Sequence, residues 1–127
     1  MVTRILIVDD KEQVRKDLRT LLALYGDFEI LGEAANGLEA IRFVETMHPD
    51  AILLDLEMPV MDGCETASQI KALAPSCRVI ILTVHDYPAA KHKAIRAGAD
   101  SFFVKGTPIE QLIQAILGEF DIVEEDL

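Results

Sequence analysis

Short, continuously apolar runs recur along the chain between longer stretches with a helical period. Three runs, at residues 5–8, 51–54 and 79–82, are apolar at every position, which is typical of strands buried on both faces of a parallel sheet. Two weaker runs, at residues 28–33 and 101–104, predict strands nearer the sheet edges. The pattern therefore predicts five strands.

Between these runs, apolar residues recur every three or four positions, as they do on one face of an α-helix. Four such stripes are Val14, Leu18, Leu21 and Leu22; Leu38, Ile41 and Val44; Ala67, Ile70 and Leu73; and Ile109, Leu112, Ile113, Ile116 and Phe120. A fifth helix is predicted over residues 87–97, where the apolar stripe is thin, with Ala90 and Ala94 alone. The same segment carries a positive cluster of Lys91, His92, Lys93 and Arg96.

Four segments resemble capping boxes, in which a side-chain cap is followed three residues later by Glu or Gln. They begin at Asp10, Asn36, Asp62 and Thr107. Pro108 is expected at the first helical position of the last helix, where a missing N–H has no bond to lose. These signals support the helices independently of the apolar stripes.

Five strand–helix units with short links predict a single doubly wound α/β domain, which we assign to residues 1–120, followed by an acidic tail at 121–127. A chain of 127 residues suffices for one core but not for two. The formal net charge of -10 disfavours direct binding to nucleic acid or anionic membranes. No apolar run approaches the ~20 residues of a membrane span, and no signal peptide is evident. We therefore expect a cytoplasmic protein.

Polar residues follow the predicted strands. Asp9 and Asp10 come after the first strand, Asp55 after the third, Thr83 ends the fourth and Lys105 follows the fifth. Because ligands of doubly wound folds bind beyond the carboxyl ends of the strands, these side chains are expected to converge. Three carboxylates and one ammonium leave a negative excess that favours a bound divalent cation. Oxygen ligands favour Mg²⁺.

Taken in order, these motifs resemble the response-regulator receiver family of two-component signal transduction. The resemblance is carried by Asp9-Asp10, by Leu54-Asp55-Leu56-Glu57-Met58-Pro59 with Asp62-Gly63, by Leu82-Thr83, and by Gly98-Ala99-Asp100 with Phe102 leading to Lys105. It extends from Ile5 to about Phe120. It implies a flavodoxin-like (βα)5 fold whose five-stranded parallel sheet has the order 2-1-3-4-5.

The resemblance also implies a phosphoacceptor and a metal site. Asp55 would accept a phosphoryl group from a phosphohistidine of a sensor histidine kinase. Mg²⁺ would be held by Asp10, Asp55 and the backbone carbonyl of Glu57, with Asp9 acting directly or through water. The protein would not be an enzyme, apart from its own phosphorylation and dephosphorylation.

Three further residues would bind the phosphoryl group or change conformation in response to it. Lys105 and the Thr83 hydroxyl would each contact a phosphoryl oxygen, and Phe102 would be the switch aromatic. Residues 82–86 and 104–108 are most similar to receivers that precede a helix-turn-helix DNA-binding output domain. We therefore expect transcription control through an output domain outside this chain, and a homodimer formed on phosphorylation.

Some positions near this site differ from the commonest family pattern, and others influence the lifetime of the phosphoryl group in the family. Gly106 follows Lys105 where many receivers have proline. Glu57 and His85 lie at positions that tune the phosphoryl lifetime in the family. His85 and His92 are interpreted as solvated surface histidines, because no third metal ligand is evident beside them.

Other functions stand as alternatives to this one. A stand-alone receiver would act through protein contacts without an output domain. An aspartyl-phosphate phosphohydrolase would carry an Asp-x-Asp pair after the first strand and a cap domain, whereas Asp9 and Asp10 are adjacent. A flavin carrier would need a Ser/Thr/Gly-rich phosphate loop at that place. The receiver remains the main hypothesis.

Overall fold

The computed structural model describes residues 2–119, in which five strands alternate with five helices. The strands are β1 (Thr3–Val8), β2 (Phe28–Ala34), β3 (Ala51–Leu54), β4 (Arg78–Thr83) and β5 (Ser101–Val104). The helices are α1 (Glu12–Tyr25), α2 (Gly37–Met47), α3 (Gly63–Leu73), α4 (Pro88–Arg96) and α5 (Ile109–Ile116). All strand pairs are parallel and the sheet order is β2-β1-β3-β4-β5. The doubly wound, flavodoxin-like fold and the strand order are therefore confirmed.

The three central strands, β1, β3 and β4, are buried on both faces. Alternate residues point to opposite sides of the sheet, so Leu6 and Ile52 pack against α2, α3 and α4. Ile5 and Leu53 pack on the other face, against α1 and α5. This arrangement explains why the central strands are apolar at nearly every position, and it leaves their carboxyl ends free to carry a site.

Three residues of the predicted helical stripes are exposed. Leu38 is 44 % exposed in the first turn of α2, and Leu73 is 53 % exposed as the last residue of α3. These two stripe residues lie at helix ends and do not join the buried core. Leu21 is also exposed, at the rim of the α1 stripe. Phe120 and the predicted tail at 121–127 lie outside the described residues.

Two of the four predicted side-chain caps are confirmed. The Asn36 side chain accepts a hydrogen bond from the Glu39 N–H at 3.0 Å and begins α2. The Asp62 side chain accepts from the Glu65 N–H at 2.9 Å and begins α3. Each bond satisfies a backbone donor that the helix itself cannot satisfy.

The starts predicted at Asp10 and Thr107 are wrong. Lys11 is the N-cap of α1, and it is Asp9, not Asp10, whose side chain accepts the Lys11 N–H, at 2.9 Å. Pro108 is the N-cap of α5, one residue before the first helical position, with an extended ψ of 137°. The Thr107 hydroxyl turns back and donates to a carbonyl at the end of β5, at 2.6 Å. Both local bonds compete with the expected caps.

Candidate functional site

The carboxyl ends of the strands bring the predicted polar residues to one edge of the sheet. Asp9 follows β1, Asp55 follows β3, Thr83 ends β4 and Lys105 follows β5. Backbone bonds extend the ladder into this edge: the Asp55 N–H donates to the Val8 carbonyl at 3.0 Å, and the Lys105 N–H donates to the Thr83 carbonyl at 2.7 Å. The strands therefore fix where these side chains begin.

Three carboxylates meet in the centre of this edge. Ligand oxygens of Asp9, Asp10 and Asp55 all lie within 4.8 Å of one another. Asp9 and Asp55 are 2 % and 3 % exposed, whereas Asp10 is open to solvent. Like charges so close and so buried need positive partners. The predicted acidic group is present, and its oxygen donors fit a hard divalent cation such as Mg²⁺.

One ammonium group faces the two buried carboxylates. The Lys105 Nζ lies 2.8 Å from Asp9 Oδ2 and 3.5 Å from Asp55 Oδ2. Burial would lower the pKa of Lys105, but the hydrogen bond to Asp9 and the charge of Asp55 outweigh it and raise the pKa. Burial and the charge of Asp9 raise the pKa of Asp55, although Lys105 opposes them. One lysine therefore does not balance the pocket.

The loop between β3 and α3 brings its backbone close to Asp55. A Cβ on Gly63 would lie 2.3 Å from the Asp55 carbonyl oxygen, so no other residue fits without moving the loop. Earlier in the loop, the Met61 N–H donates to the Pro59 carbonyl at 2.8 Å, which closes a γ-turn around Val60. Val60 has a φ of 74°, a conformation that β-branched residues rarely adopt.

Thr83 and Phe102 lie behind the pocket. Thr83 is fully buried, and its hydroxyl oxygen accepts a hydrogen bond from the His85 N–H at 3.3 Å. Phe102 is 7 % exposed and lies in the same core cluster as Ala90 and Ala94 of α4. The side chain predicted to be a switch aromatic therefore occupies an inward position here.

A contact between His85 and Glu57 across the mouth of the pocket was not predicted from the sequence. The His85 Nε2 lies 2.9 Å from Glu57 Oε1, and the imidazole meets the Tyr87 ring edge-on at 5.8 Å between centroids. The His85 side chain is only 26 % exposed, so its interpretation as a solvated surface histidine is wrong. The sequence signal that could have revealed this contact is position. Glu57 lies two residues after Asp55, and His85 lies two residues after Thr83.

A second contact that the sequence did not reveal lies behind Asp9. The Arg15 guanidinium of α1 donates to the Asp9 carbonyl at 2.7 Å and to Glu33 of β2 at 3.0 Å. Arg19 donates to the other Glu33 oxygen at 3.0 Å. Burial would raise the pKa of Glu33, but the hydrogen bonds and charges of Arg19 and Arg15 outweigh it and lower the pKa. The three side chains tie α1 to β2.

The doubly wound fold and the acidic pocket at its carboxyl edge define a receiver-type α/β domain. The family model of the response regulator receiver domain matches residues 5–117. The chain belongs to this family, whose members are response regulators of two-component systems and usually not enzymes in the ordinary sense. Receiver domains bind Mg²⁺ through an acidic pocket. No helix within residues 2–119 is long and apolar enough to cross a bilayer.

Curated proteins of similar sequence support the assignment to this family. The chain is 40 % identical over 111 residues to the uncharacterized transcriptional regulatory protein YhcZ of Bacillus subtilis, covering 87 % of this chain and 52 % of that protein. It is 38 % identical over 116 residues to the response regulator VraR of Staphylococcus aureus, covering 91 % and 56 %. The chain thus spans about half the length of these curated relatives.

A solved structure extends the comparison to three dimensions. The chain resembles a two-component response regulator of the LuxR family from Aurantimonas sp. SI85-9A1 with a TM-score of 0.88 and 30 % identity, covering 99 % of this chain and 92 % of that one. Fold and sequence therefore agree on a response-regulator receiver, and the phosphohydrolase and flavin-carrier alternatives are set aside.

Proposed function

We propose that Asp55 of this receiver accepts a phosphoryl group from a phosphohistidine of a sensor histidine kinase. The observation that carries the proposal is the setting of Asp55. Its carboxylate is almost fully buried at the end of β3, yet it faces two further carboxylates within 4.8 Å and one ammonium at 3.5 Å. A structural aspartate gains nothing from such repulsion, whereas an acceptor site needs groups that hold a metal and an anion.

The metal in this proposal is Mg²⁺, held by Asp10, Asp55 and the backbone carbonyl of Glu57, with Asp9 acting directly or through water. The clustered carboxylate oxygens support this assignment, because Mg²⁺ is bound by a few carboxylates and water. When bound, the ion would supply positive charge against the phosphoryl oxygens.

The transfer needs little beyond positioning and charge. An Asp55 oxygen attacks phosphorus, and the new P–O bond forms as the P–N bond to the kinase histidine breaks, with its electron pair staying on the imidazole. The Lys105 ammonium, already 3.5 Å from Asp55, would donate to one phosphoryl oxygen. The Thr83 hydroxyl would donate to another. Water would later attack phosphorus and break its bond to the Asp55 oxygen, which releases inorganic phosphate and restores the Asp55 carboxylate.

The same groups would pass the signal on. Movement of Thr83 toward the phosphoryl group would be followed by Phe102, the switch aromatic, and the altered surface would favour a homodimer. We place the protein in the cytoplasm and propose control of transcription through a DNA-binding output domain, since one relative is named a transcriptional regulatory protein. The receiver itself would not bind nucleic acid. A stand-alone receiver acting through protein contacts is the alternative output.

Chemical modification tests the acceptor. The wild-type protein, treated with acetyl phosphate and Mg²⁺, is expected to gain the mass of one phosphoryl group in intact-mass analysis, and Asp55→Asn is expected to gain none. Beryllofluoride, a stable mimic of the phosphoryl group, should bind the wild type and spare the variant. An equal mass gain in both proteins would show that Asp55 is not the acceptor.

A further inference from the structure

Each polar atom of Asp9 has its own partner. The N–H donates to the Ala34 carbonyl at 3.1 Å, and one carboxylate oxygen accepts the Lys11 N–H at 2.9 Å. The second carboxylate oxygen lies 2.8 Å from the Lys105 ammonium. The remaining atom, the carbonyl oxygen, accepts from the Arg15 guanidinium at 2.7 Å, the shortest of these contacts. Arg15 therefore holds the part of Asp9 that faces away from the pocket.

The Asp9 carbonyl also belongs to the peptide unit that leads to Asp10. Because a peptide unit is planar, a fixed Asp9 carbonyl fixes the Asp10 amide and the direction in which the chain enters Asp10. The Asp10 carboxylate has little else to hold it. Within residues 2–119 it makes one ion pair, with the exposed Lys11 at 3.8 Å, and such a pair contributes little.

Arg15 is itself well anchored. Its side chain is 16 % exposed, and its Nε donates to Glu33 Oε1 at 3.0 Å while its Nη1 reaches the Asp9 carbonyl. Two donors of one rigid, planar group are thus fixed on two elements at once. Arg19, one turn further along α1, donates to the other Glu33 oxygen but makes no hydrogen bond to Asp9 within the described part of the chain.

We propose that Arg15 is a positioning residue for the metal site: by holding the Asp9–Asp10 peptide against Glu33, it fixes the place from which the Asp10 carboxylate reaches the metal. This inference rests on the proposed function, since it assigns a role toward the Mg²⁺ ion of that site. Partners that orient metal ligands typically change metal affinity about 10–100-fold, and Arg15, which acts through the backbone beside the ligand, is expected at the lower end of that range.

The test compares Arg15→Met with Arg19→Met. Methionine keeps an unbranched apolar side chain and removes the guanidinium. Both variants lose one bond to Glu33 and should be destabilised in urea, Arg15→Met the more, because it also leaves the Asp9 carbonyl without its donor. Arg15→Met alone should raise the Mg²⁺ dissociation constant, by about tenfold. Binding is measured by Mg²⁺ titration of the amide resonances around Asp10. Arg19→Met should react with acetyl phosphate as fast as the wild type.

One outcome would overturn the positioning role of Arg15, and another would overturn the metal site. Dissociation constants for Mg²⁺ that agree within about twofold between the two variants would reduce Arg15 to a structural ion pair and overturn its positioning role. A wild-type protein that binds no Mg²⁺ would overturn the metal site itself. If Arg15→Met does not fold, Arg15→Gln replaces it, since its single amide group is two atoms shorter than the guanidinium and does not span both Glu33 and the Asp9 carbonyl. A wild-type Mg²⁺ affinity in that folded variant overturns the inference.

Discussion

Charge balance at single residues decides how the pocket behaves. The carboxylates of Asp9 and Asp55 are almost completely buried, and the Lys105 ammonium is the positive group that contacts both of them in the described part of the chain. Burial penalises each unpaired charge, and the raised pKa of Asp55, caused by burial and by the charge of Asp9, shows that the penalty is not fully offset. Lys105 therefore has two roles, one before and one after a phosphoryl group arrives.

Removing that ammonium should reveal both roles. Lys105→Ala is expected to keep the fold but to lower the free energy of unfolding by about 3 kcal/mol, because two buried carboxylates lose their shared partner. Urea unfolding measures this, and Lys11→Ala is the control, since Lys11 is exposed and lies 3.8 Å from Asp10. Beryllofluoride should still bind, but amide shifts beyond the Asp55 loop should disappear. Wild-type shifts in Lys105→Ala would contradict its role in the switch.

The loop from β3 to α3 shows how an element constrains the site. Asp55 directly follows the buried strand β3, and α3 begins eight residues later, so the backbone must return across the acceptor. The N–H of Gly63 donates to the Leu56 carbonyl at 2.8 Å, and the α-carbon of Gly63 has no room for a side chain. The start of α3 is therefore pressed onto the peptide that carries Asp55.

Gly63→Ala tests this close approach. The added methyl group must push the Asp55 peptide aside, so we expect a loss of unfolding free energy of about 1–3 kcal/mol and a slower reaction of Asp55 with acetyl phosphate. Ser68→Ala, at an exposed position of the same helix, should stay within about 0.5 kcal/mol of the wild type. Equal stability of the two variants would mean that the loop has more freedom than its contacts indicate.

The elements were predictable where a local pattern decides them. Continuous apolar runs placed the three central strands, and Asn36 and Asp62 were correctly identified as caps because their bonds reach only three residues along the chain. The cap expected at Asp10 was wrong because Asp9, one residue earlier, takes the amide of Lys11. A window of sequence does not distinguish two adjacent aspartates competing for one donor.

The residues of the acidic cluster were predictable for a different reason. In a parallel sheet the carboxyl ends meet at one edge, so topology alone brings Asp9 and Asp55 together. The partners of this cluster were not predictable. Arg15 is 18 residues from Glu33, and its position in α1 does not distinguish it from a basic residue that faces solvent. Such pairings depend on the register of one element against another, which no local signal in the chain encodes.

At the scale of the whole molecule, charge and packing are unevenly distributed. The chain has a formal net charge of -10, yet α4 carries the cluster Lys91, His92, Lys93 and Arg96 and no acidic residue. The same helix buries two alanines, Ala90 and Ala94, where α5 buries Leu112, Ala115 and Ile116. Alanine removes little apolar area from water. The helix α4 is therefore expected to be among the least firmly packed elements of the domain.

The position of α4 in the chain connects this weak packing to the switch. The helix follows Thr83 closely and precedes Phe102, and Phe102 shares a core cluster with Ala90 and Ala94. A modest shift in an existing equilibrium would be enough to remodel α4 when both neighbours move. We expect beryllofluoride to change hydrogen-exchange protection in α4 and β5, while the amides of α1 keep theirs. Lys105→Ala should abolish the change in α4 without preventing beryllofluoride binding. If protection changes stay within the Asp55 loop of the wild type, the signalling surface does not include α4.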